Sequence, residues 1–273
     1  MKSAVFGMFA ETSMHPGTES TGGLVDLPVA REAATGYPML PGSSLKGSLR
    51  DKACNSMDES EVYLLFGKQD NAGGIAVTDA RLLLLPVRSL TSHYVWVTCP
   101  YLLERLKRDF ELAGQVCSID IESPSDYQAY AAAEGKLYLE EVTLQAEAKP
   151  ALIEQLANAI KPLIRHESVN NRLLKQLVLV SDNMMSAYFA AYCLPVQARN
   201  QLNSETKVSE NLWYEETLPP DTLFYFLLLQ RPEHKGGVER IHKLFADNPY
   251  IQVGGNETMG QGWCAISLYK GEA

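Results

Sequence analysis

The run Thr222–Gln230 constrains the fold more than any other stretch. Phe224, Tyr225 and Phe226 sit among leucines there, with no polar break until Gln230. A continuous apolar, aromatic run of strand length reads as a central strand. Other strand patterns are Ala4–Phe9, Gly74–Val87, Tyr94–Thr98, Leu137–Ala146, Leu177–Val180, Tyr250–Val253 and Gly262–Tyr269. Helical spacing marks Ser43–Met57, Ser60–Phe66, a helix begun by Pro100, Lys149–Ile164, a helix capped by Asp182, and Gly237–Asp247. Strand–helix–strand units at both ends of the chain imply an α+β sheet with helices on one face and insertions between.

The segment Leu40–Arg50 carries a helix start with chemical content. Ser43 and Ser44 are helix-start residues whose hydroxyls can satisfy free backbone N–H groups. Lys46 and Arg50, four apart, share one face. Free amides, a positive dipole end, two hydroxyls and a lysine in one place suit a phosphate, and equally a capped surface helix with solvated bases. The order is not that of a Walker loop, because Lys46 precedes Gly47.

Three further segments stand out. The span 11–37 is too long and too rich in Gly, Thr and Ser for a tight turn, and long loops in compact domains are usually functional or disordered. It carries His15, Asp26, Arg31 and Glu32. Asp26 follows two glycines and precedes Pro28, which restrains the backbone; its carboxylate can bind a divalent cation, position a 2′-hydroxyl, or simply cap a turn. His15 can shuttle a proton or pair with a phosphate, while His-Pro-Gly also reads as a turn. The stretch 195–220 reads as a hairpin with a polar tip, with Arg199 on its first strand. The loop Gly254–Gly262 holds Gly254, Gly255, Gly260 and Gly262 between two strands, which excludes the dinucleotide fingerprint and lets backbone approach a sugar–phosphate chain closely.

The runs Gly-Gly-Leu-Val-Asp-Leu-Pro-Val-Ala-Arg-Glu from Gly22 and Pro-Gly-Ser-Ser-Leu-Lys-Gly-Ser-Leu-Arg from Pro41, with the C-terminal glycine-rich loop, resemble the RAMP superfamily of CRISPR proteins. Within it they are most similar to the backbone subunits of type III-B (Cmr) effector complexes. The resemblance covers both ends of the chain well and the middle, about 85–175, in general layout. It implies a single RAMP domain over 1–273 with a ferredoxin-like (RRM-like) sheet, a catalytic loop at 11–37 and a projecting hairpin, the thumb, at 195–220. It implies that Asp26 is needed for metal-dependent cleavage of target RNA, with Mg or Mn held jointly by Asp26, water and RNA. It implies guide-RNA contacts from Ser43, Ser44, Lys46, Arg50, the glycine-rich loop and Arg199. The implied partners are guide RNA, target RNA, the other Cmr subunits, and further copies of the chain in a helical backbone.

The net charge of −9 speaks against strong independent binding of nucleic acid. Its distribution matters more: residues 104–154 hold 11 acidic and 5 basic side chains, a net of −6, leaving −3 for the rest. An acidic face can then coexist with a locally basic groove, because screening limits exposed charges to about 8–10 Å. The five scattered cysteines form no Cys-x-x-Cys pair, so reduced thiols are expected. No apolar run approaches the ~20 residues that span a bilayer, no membrane partner is expected, and the expected location is the cytoplasm. There is no His-Glu-x-x-His and no nucleophile elbow. Three rival readings stay open: a scaffold in which Asp26 is inert, a metal-free guide-processing nuclease using a histidine, and a metabolic enzyme binding phosphate at the 43–50 helix start.

Overall fold

The computed structural model describes residues 2–17 and 25–270. In chain order its principal elements begin with β1 (Ser3–Ala10), α1 (Gly42–Cys54), α2 (Glu59–Phe66), β2 (Ala80–Arg88), β3 (Tyr94–Thr98) and α3 (Pro100–Leu112). The middle of the chain supplies β4 (Gln128–Ala131), β5 (Gly135–Leu139), β6 (Val142–Ala148), α4 (Pro150–Ile160), α5 (Glu167–Gln176) and β7 (Leu177–Val180). The last third supplies β8 (Val196–Leu202), β9 (Ser209–Glu216), β10 (Leu223–Gln230), α6 (Gly237–Leu244), β11 (Tyr250–Gln252) and β12 (Trp263–Leu268).

A large mixed sheet runs in the order β11-β12-β1-β10-β2-β3-β7-β4-β6-β5. The pairs of β1 with β10 and β12, and of β2 with β10 and β3, are antiparallel. The pairs β3–β7 and β4–β6 are parallel. The apolar run is central as expected: β10 lies between β1 and β2 and is buried along most of its length.

Both faces of that strand are dry, which corrects the expectation of helices on one face. Side chains alternate across a strand, and here both sets are apolar. Phe224, Phe226 and Leu228 join Phe6 and Met8 under Leu45 and Leu49 of α1, Val62 and Leu65 of α2, and Val238 and Ile241 of α6. Tyr225 and Leu227 join Val5 and Phe9 under Leu103, Leu106 and Phe110 of α3, Ile153 and Leu156 of α4, and Val169 and Leu173 of α5. Phe6 and Phe226 are directly opposite in register and stack at 5.3 Å. Each fully buried side chain of this size contributes on the order of 1.5–3 kcal/mol. The second face carries a polar tie at β10: the Tyr225 hydroxyl donates to Asp109 of α3 at 2.7 Å, and Arg81 of β2 pairs with the same carboxylate.

Several boundaries differ from the sequence reading. Leu137–Ala146 is two strands, β5 and β6, joined at Glu140, whose φ of 49° makes a turn without glycine or asparagine. Gly74–Val87 breaks into Ile75–Val77 and β2, with Thr78 and Asp79 at the bend. Ser181, not Asp182, caps the next helix, its hydroxyl accepting from the Met184 amide; Asp182 accepts instead from the Tyr101 amide at the start of α3. That helix contains a π-turn over Met185–Phe189. The extra residue per turn shifts the buried stripe, so Met184, Met185, Phe189 and Ala190 are buried while Ala187 and Ala191 are exposed. Helix α5 has no counterpart in the sequence reading.

All five cysteines are free thiols. Burial pushes the Cys99 and Cys193 thiols up to about 12 and the Cys117 thiol up to about 11, and raises Cys264 as well. Cys54 alone is exposed. The thiolate is the reactive form, so raised values leave the other four protonated through pH 9. Alkylation of the native protein near pH 8, read by mass spectrometry, is expected to modify Cys54 first and the others only on unfolding. Native labelling of Cys99 or Cys264 at the Cys54 rate contradicts this packing.

Candidate functional site

Strand β9 ends in Glu215 and Glu216, and both are buried, at 2% and 7% exposure. An unpaired carboxylate in such a place is strongly unfavourable. Each is paired, and the partners come from four separate segments. Glu215 accepts from the side-chain amide of Asn256, lies 3.5 Å from Nε of Arg199 on β8, and lies 4.0 Å from Nδ1 of His15. Glu216 accepts from the Arg31 guanidinium at 2.7 Å and from the Val29 amide at 3.0 Å. Its main-chain carbonyl accepts from His15 Nδ1 at 2.8 Å.

A carbonyl can only accept, so His15 carries a proton on Nδ1. The ring is buried, and Nε2 lies against Gly17, where an added Cβ would come within 2.8 Å. Arg31 is held further by the carbonyls of Ala190 at 2.5 Å and Gly36 at 3.0 Å. The next residue, Glu32, pairs with Arg105 of α3.

Asp26 is exposed, yet its position is defined by β9. Its Oδ2 accepts from the Tyr214 amide at 2.8 Å. The Leu27 amide donates to the Tyr214 carbonyl at 3.1 Å and the Glu216 amide donates to the Leu27 carbonyl at 3.0 Å. Residues around Leu27 therefore add to the hairpin edge as a short parallel bridge opposite Glu215. Oδ1 of Asp26 has no hydrogen-bond partner among the described residues. Part of the 22–38 run, residues 22–24, lies outside the described residues, as do 18–21.

The glycine-rich loop closes the site from the other side. The Gly255 amide donates to the His15 carbonyl at 2.9 Å and the Gly262 amide to the Ser13 carbonyl at 2.8 Å. Gly254 has φ +86° and its Cβ would stand 2.8 Å from the His15 carbonyl oxygen; Gly262 has φ +85° and its Cβ would stand 2.1 Å from the Val253 carbonyl oxygen. At these two positions the backbone approached is the chain's own. Gly255 borders the His15 ring, and Gly260 faces open space.

The residues of α1 divide between two surfaces. Neither Ser43 nor Ser44 caps the helix: Pro41 is the N-cap, and the Gly42 amide donates to Asp79 at 2.7 Å. That carboxylate already satisfies part of the expected anion site. Ser44 lines a cleft of about 550 Å³ with Asp51, Tyr250, Gln252, Gly254 and Trp263. Lys46 lines a different groove, and the Arg50 guanidinium lies 5.8 Å from the Tyr63 ring of α2. The structure thus gathers His15, Asp26, Arg199 and the glycine-rich loop around β9, and leaves Lys46 and Arg50 outside that cluster. Glu215 and Glu216 were not foreseen; two adjacent acids on an amphipathic strand ordinarily mark solvent. Among the described residues no three His, Cys, Asp or Glu side chains are placed to hold a metal ion. A cation at Asp26 would therefore need donors beyond these side chains.

The RAMP superfamily profile matches residues 10–265. The chain is 35% identical to the CRISPR system Cmr endoribonuclease Cmr4 of Pyrococcus furiosus, over 98% of this chain and 96% of the relative. It is similar to the crystal structure of oligomeric Cmr4 from Pyrococcus furiosus, with a TM-score of 0.79, 30% identity and full coverage of both chains. It shares the fold of a chain in the cryo-EM structure of the type III-B Cmr-beta complex bound to cognate target RNA, with a TM-score of 0.77, 23% identity and 98% coverage of both.

Truncating one partner of a buried charge pair costs about 3–5 kcal/mol. Arg31→Ala is expected to cost that much in urea denaturation, because it leaves the buried Glu216 carboxylate without its cation. Glu216→Ala is expected to cost less, because the Arg31 side chain left behind is 25% exposed and keeps the Ala190 and Gly36 carbonyls as partners. The double variant is expected to fall short of the sum by about 1–3 kcal/mol. Additive costs contradict the coupling.

Proposed function

The chain belongs to the RAMP superfamily, and from that premise we propose that it is an RNA-cleaving backbone subunit of a type III-B Cmr effector complex. The observation that carries this reading is the near full-length likeness to a relative named an endoribonuclease. The chain binds guide RNA, stacks with further copies of itself and other Cmr subunits along it, and cuts base-paired target RNA at regular intervals in the cytoplasm. Sequence specificity comes from base pairing, while the protein supplies spacing and the cleaving group.

The fold supports this reading. The order β12-β1-β10-β2, with α1 between β1 and β2 and α6 between β10 and β12, supports reading these elements as a ferredoxin-like core. Everything between β2 and β10 is then insertion into one RAMP domain. The hairpin β8–β9, paired among the described residues with itself and with the bridge at Leu27, is the proposed thumb.

Asp26 is the proposed catalytic residue. The Tyr214 amide holds Oδ2 of this exposed side chain, and Oδ1 is proposed to take the proton of a target 2′-hydroxyl. The 2′-oxygen then forms a bond to the adjacent phosphorus, the bond from phosphorus to the 5′-oxygen breaks, and the 5′-oxygen leaves with a proton from water. The products are a 2′,3′-cyclic phosphate and a 5′-hydroxyl. A bound Mg or Mn, shared by Asp26, water and phosphate, would supply positive charge to the phosphate. His15 is buried and tied to the Glu216 carbonyl, so it acts as a positioning residue. The glycine-rich loop, Ser44 and Arg199 lie on the side proposed to meet guide RNA.

Target cleavage by the guide-loaded complex tests the reading. Asp26→Asn keeps the size and the acceptor for the Tyr214 amide but loses the base. Regularly spaced cutting is expected to fall by about 10²–10⁴-fold, with guide and target still bound. Unchanged cutting makes the chain a scaffold. Wild-type products ending in 5′-phosphate and 3′-hydroxyl contradict the 2′-hydroxyl route.

A further inference from the structure

Lys46, Lys68 and Arg231 converge on one groove of about 450 Å³. They come from three distant segments: α1, the short hairpin over Gly67–Ala72, and the turn that follows β10. Lys68 and Arg231 also border an adjoining groove of about 470 Å³ with Tyr63 and His234. Arg50 lies over the Tyr63 ring at its edge. Lys46, Arg50, Lys68 and Arg231 have no carboxylate within 4.0 Å among the described residues, whereas neighbouring Arg240 pairs with Glu61. The acids on these walls are Asp70 in the first groove and Glu233 in the second.

The groove is built by backbone. The Gly74 amide donates to the Leu64 carbonyl, and the Arg231 amide donates to the Gly74 carbonyl, each at 2.8 Å. The His234 amide donates back to the Arg231 carbonyl at 3.0 Å. These bonds fix the hairpin and the turn against α2, so the cations are gathered by the fold. In a chain of net charge −9, such a gathering of unpaired cations opposes the overall balance. The walls are mostly polar, with Gln69 and Asn71 beside the cations. A protein interface of stable kind is built around an apolar centre instead.

We propose that the groove formed by Lys46, Lys68 and Arg231 binds the sugar–phosphate backbone of RNA, as a second contact track beyond the one at the glycine-rich loop. It rests on the RNA-binding reading above and extends it: Lys46 belongs to this track, not to the glycine-rich loop. The contacts are to phosphates and carry no sequence preference. Tyr63, at 37% exposure with Arg50 on its ring, offers a flat surface for one base.

The test is the salt dependence of RNA binding by the assembled complex, with two arms. One measures loading of guide RNA and the other capture of target RNA by the loaded complex. Each cation removed from a phosphate of a single strand lowers the slope of log affinity against log salt by ~0.7. Lys68→Gln with Arg231→Gln is expected to lower the guide-loading slope by ~1.4, equally for guides of different sequence. Lys68→Glu is expected to weaken loading further with an unchanged melting temperature. The control Lys136→Gln with Lys175→Gln, exposed cations that line neither groove, is expected to leave the slope unchanged. A fall confined to the target arm keeps the backbone site and assigns it to target RNA. Unchanged slopes in both arms, in a complex whose wild type binds guide, overturn the groove alone. A wild-type complex that binds no guide overturns the RNA reading with it.

Discussion

Two adjacent buried carboxylates, Glu215 and Glu216, organise this site. Charge out of water is tolerated only with close partners, and no single element near β9 supplies them. Arg31 and Val29 come from the later part of the long N-terminal loop, Arg199 from the other hairpin strand, Asn256 from the glycine-rich loop, and His15 from the stretch that follows β1. Satisfying the pair therefore ties together segments some two hundred residues apart in the chain. The hairpin base, the Asp26 loop and the glycine-rich loop form one unit as a result.

That unit explains how an exposed aspartate in a long loop can be held in place. Asp26 gains its position from the Tyr214 amide, and the loop is bridged to β9 at Tyr214 and Glu216. Functional groups on loops need a rigid scaffold to act with defined geometry. In the proposed mechanism the cleaving group travels with the β8–β9 hairpin to which its loop is bridged. Cut position and hairpin position are then one quantity, and regular spacing of copies along the guide becomes regular spacing of cuts. The groove at Lys46, Lys68 and Arg231, lined by none of the residues around β9, is proposed as a second hold on RNA.

Much of the fold was legible in the sequence. The aromatic run of β10, the alternation of β1 and the hairpin over 195–220 followed from local pattern. The second dry face was harder to see, because Phe224, Tyr225 and Phe226 are consecutive and periodicity cannot say how many sides are covered. The turn at Glu140 carries no glycine, proline or asparagine signal, so two strands read as one. The π-turn at Met185–Phe189 buries Phe189 and Ala190 and leaves Ala187 and Ala191 exposed, a departure from regular helical spacing that no residue type there announces. At the site, His15, Asp26, Arg31 and Arg199 stood out individually as charged residues on loops and a hairpin. Their common partners did not, because Glu215 and Glu216 become buried only through contacts that the local sequence does not encode. Gly254 and Gly262 were legible as glycines that permit close approach, but what approaches is the chain's own backbone.

The measurement that tests this account most directly is residue-resolved hydrogen exchange of the wild-type protein at four amides. Tyr214 donates to Asp26, Leu27 to the Tyr214 carbonyl, Val29 to the Glu216 carboxylate, and Glu216 to the Leu27 carbonyl. If the carboxylate pair welds loop to hairpin, these four open together with one free energy, above that of the hairpin tip at Glu205 and Thr206. Fast exchange at Leu27 and Val29 beside protected amides in β9 would show a loop that moves independently, and would contradict the account.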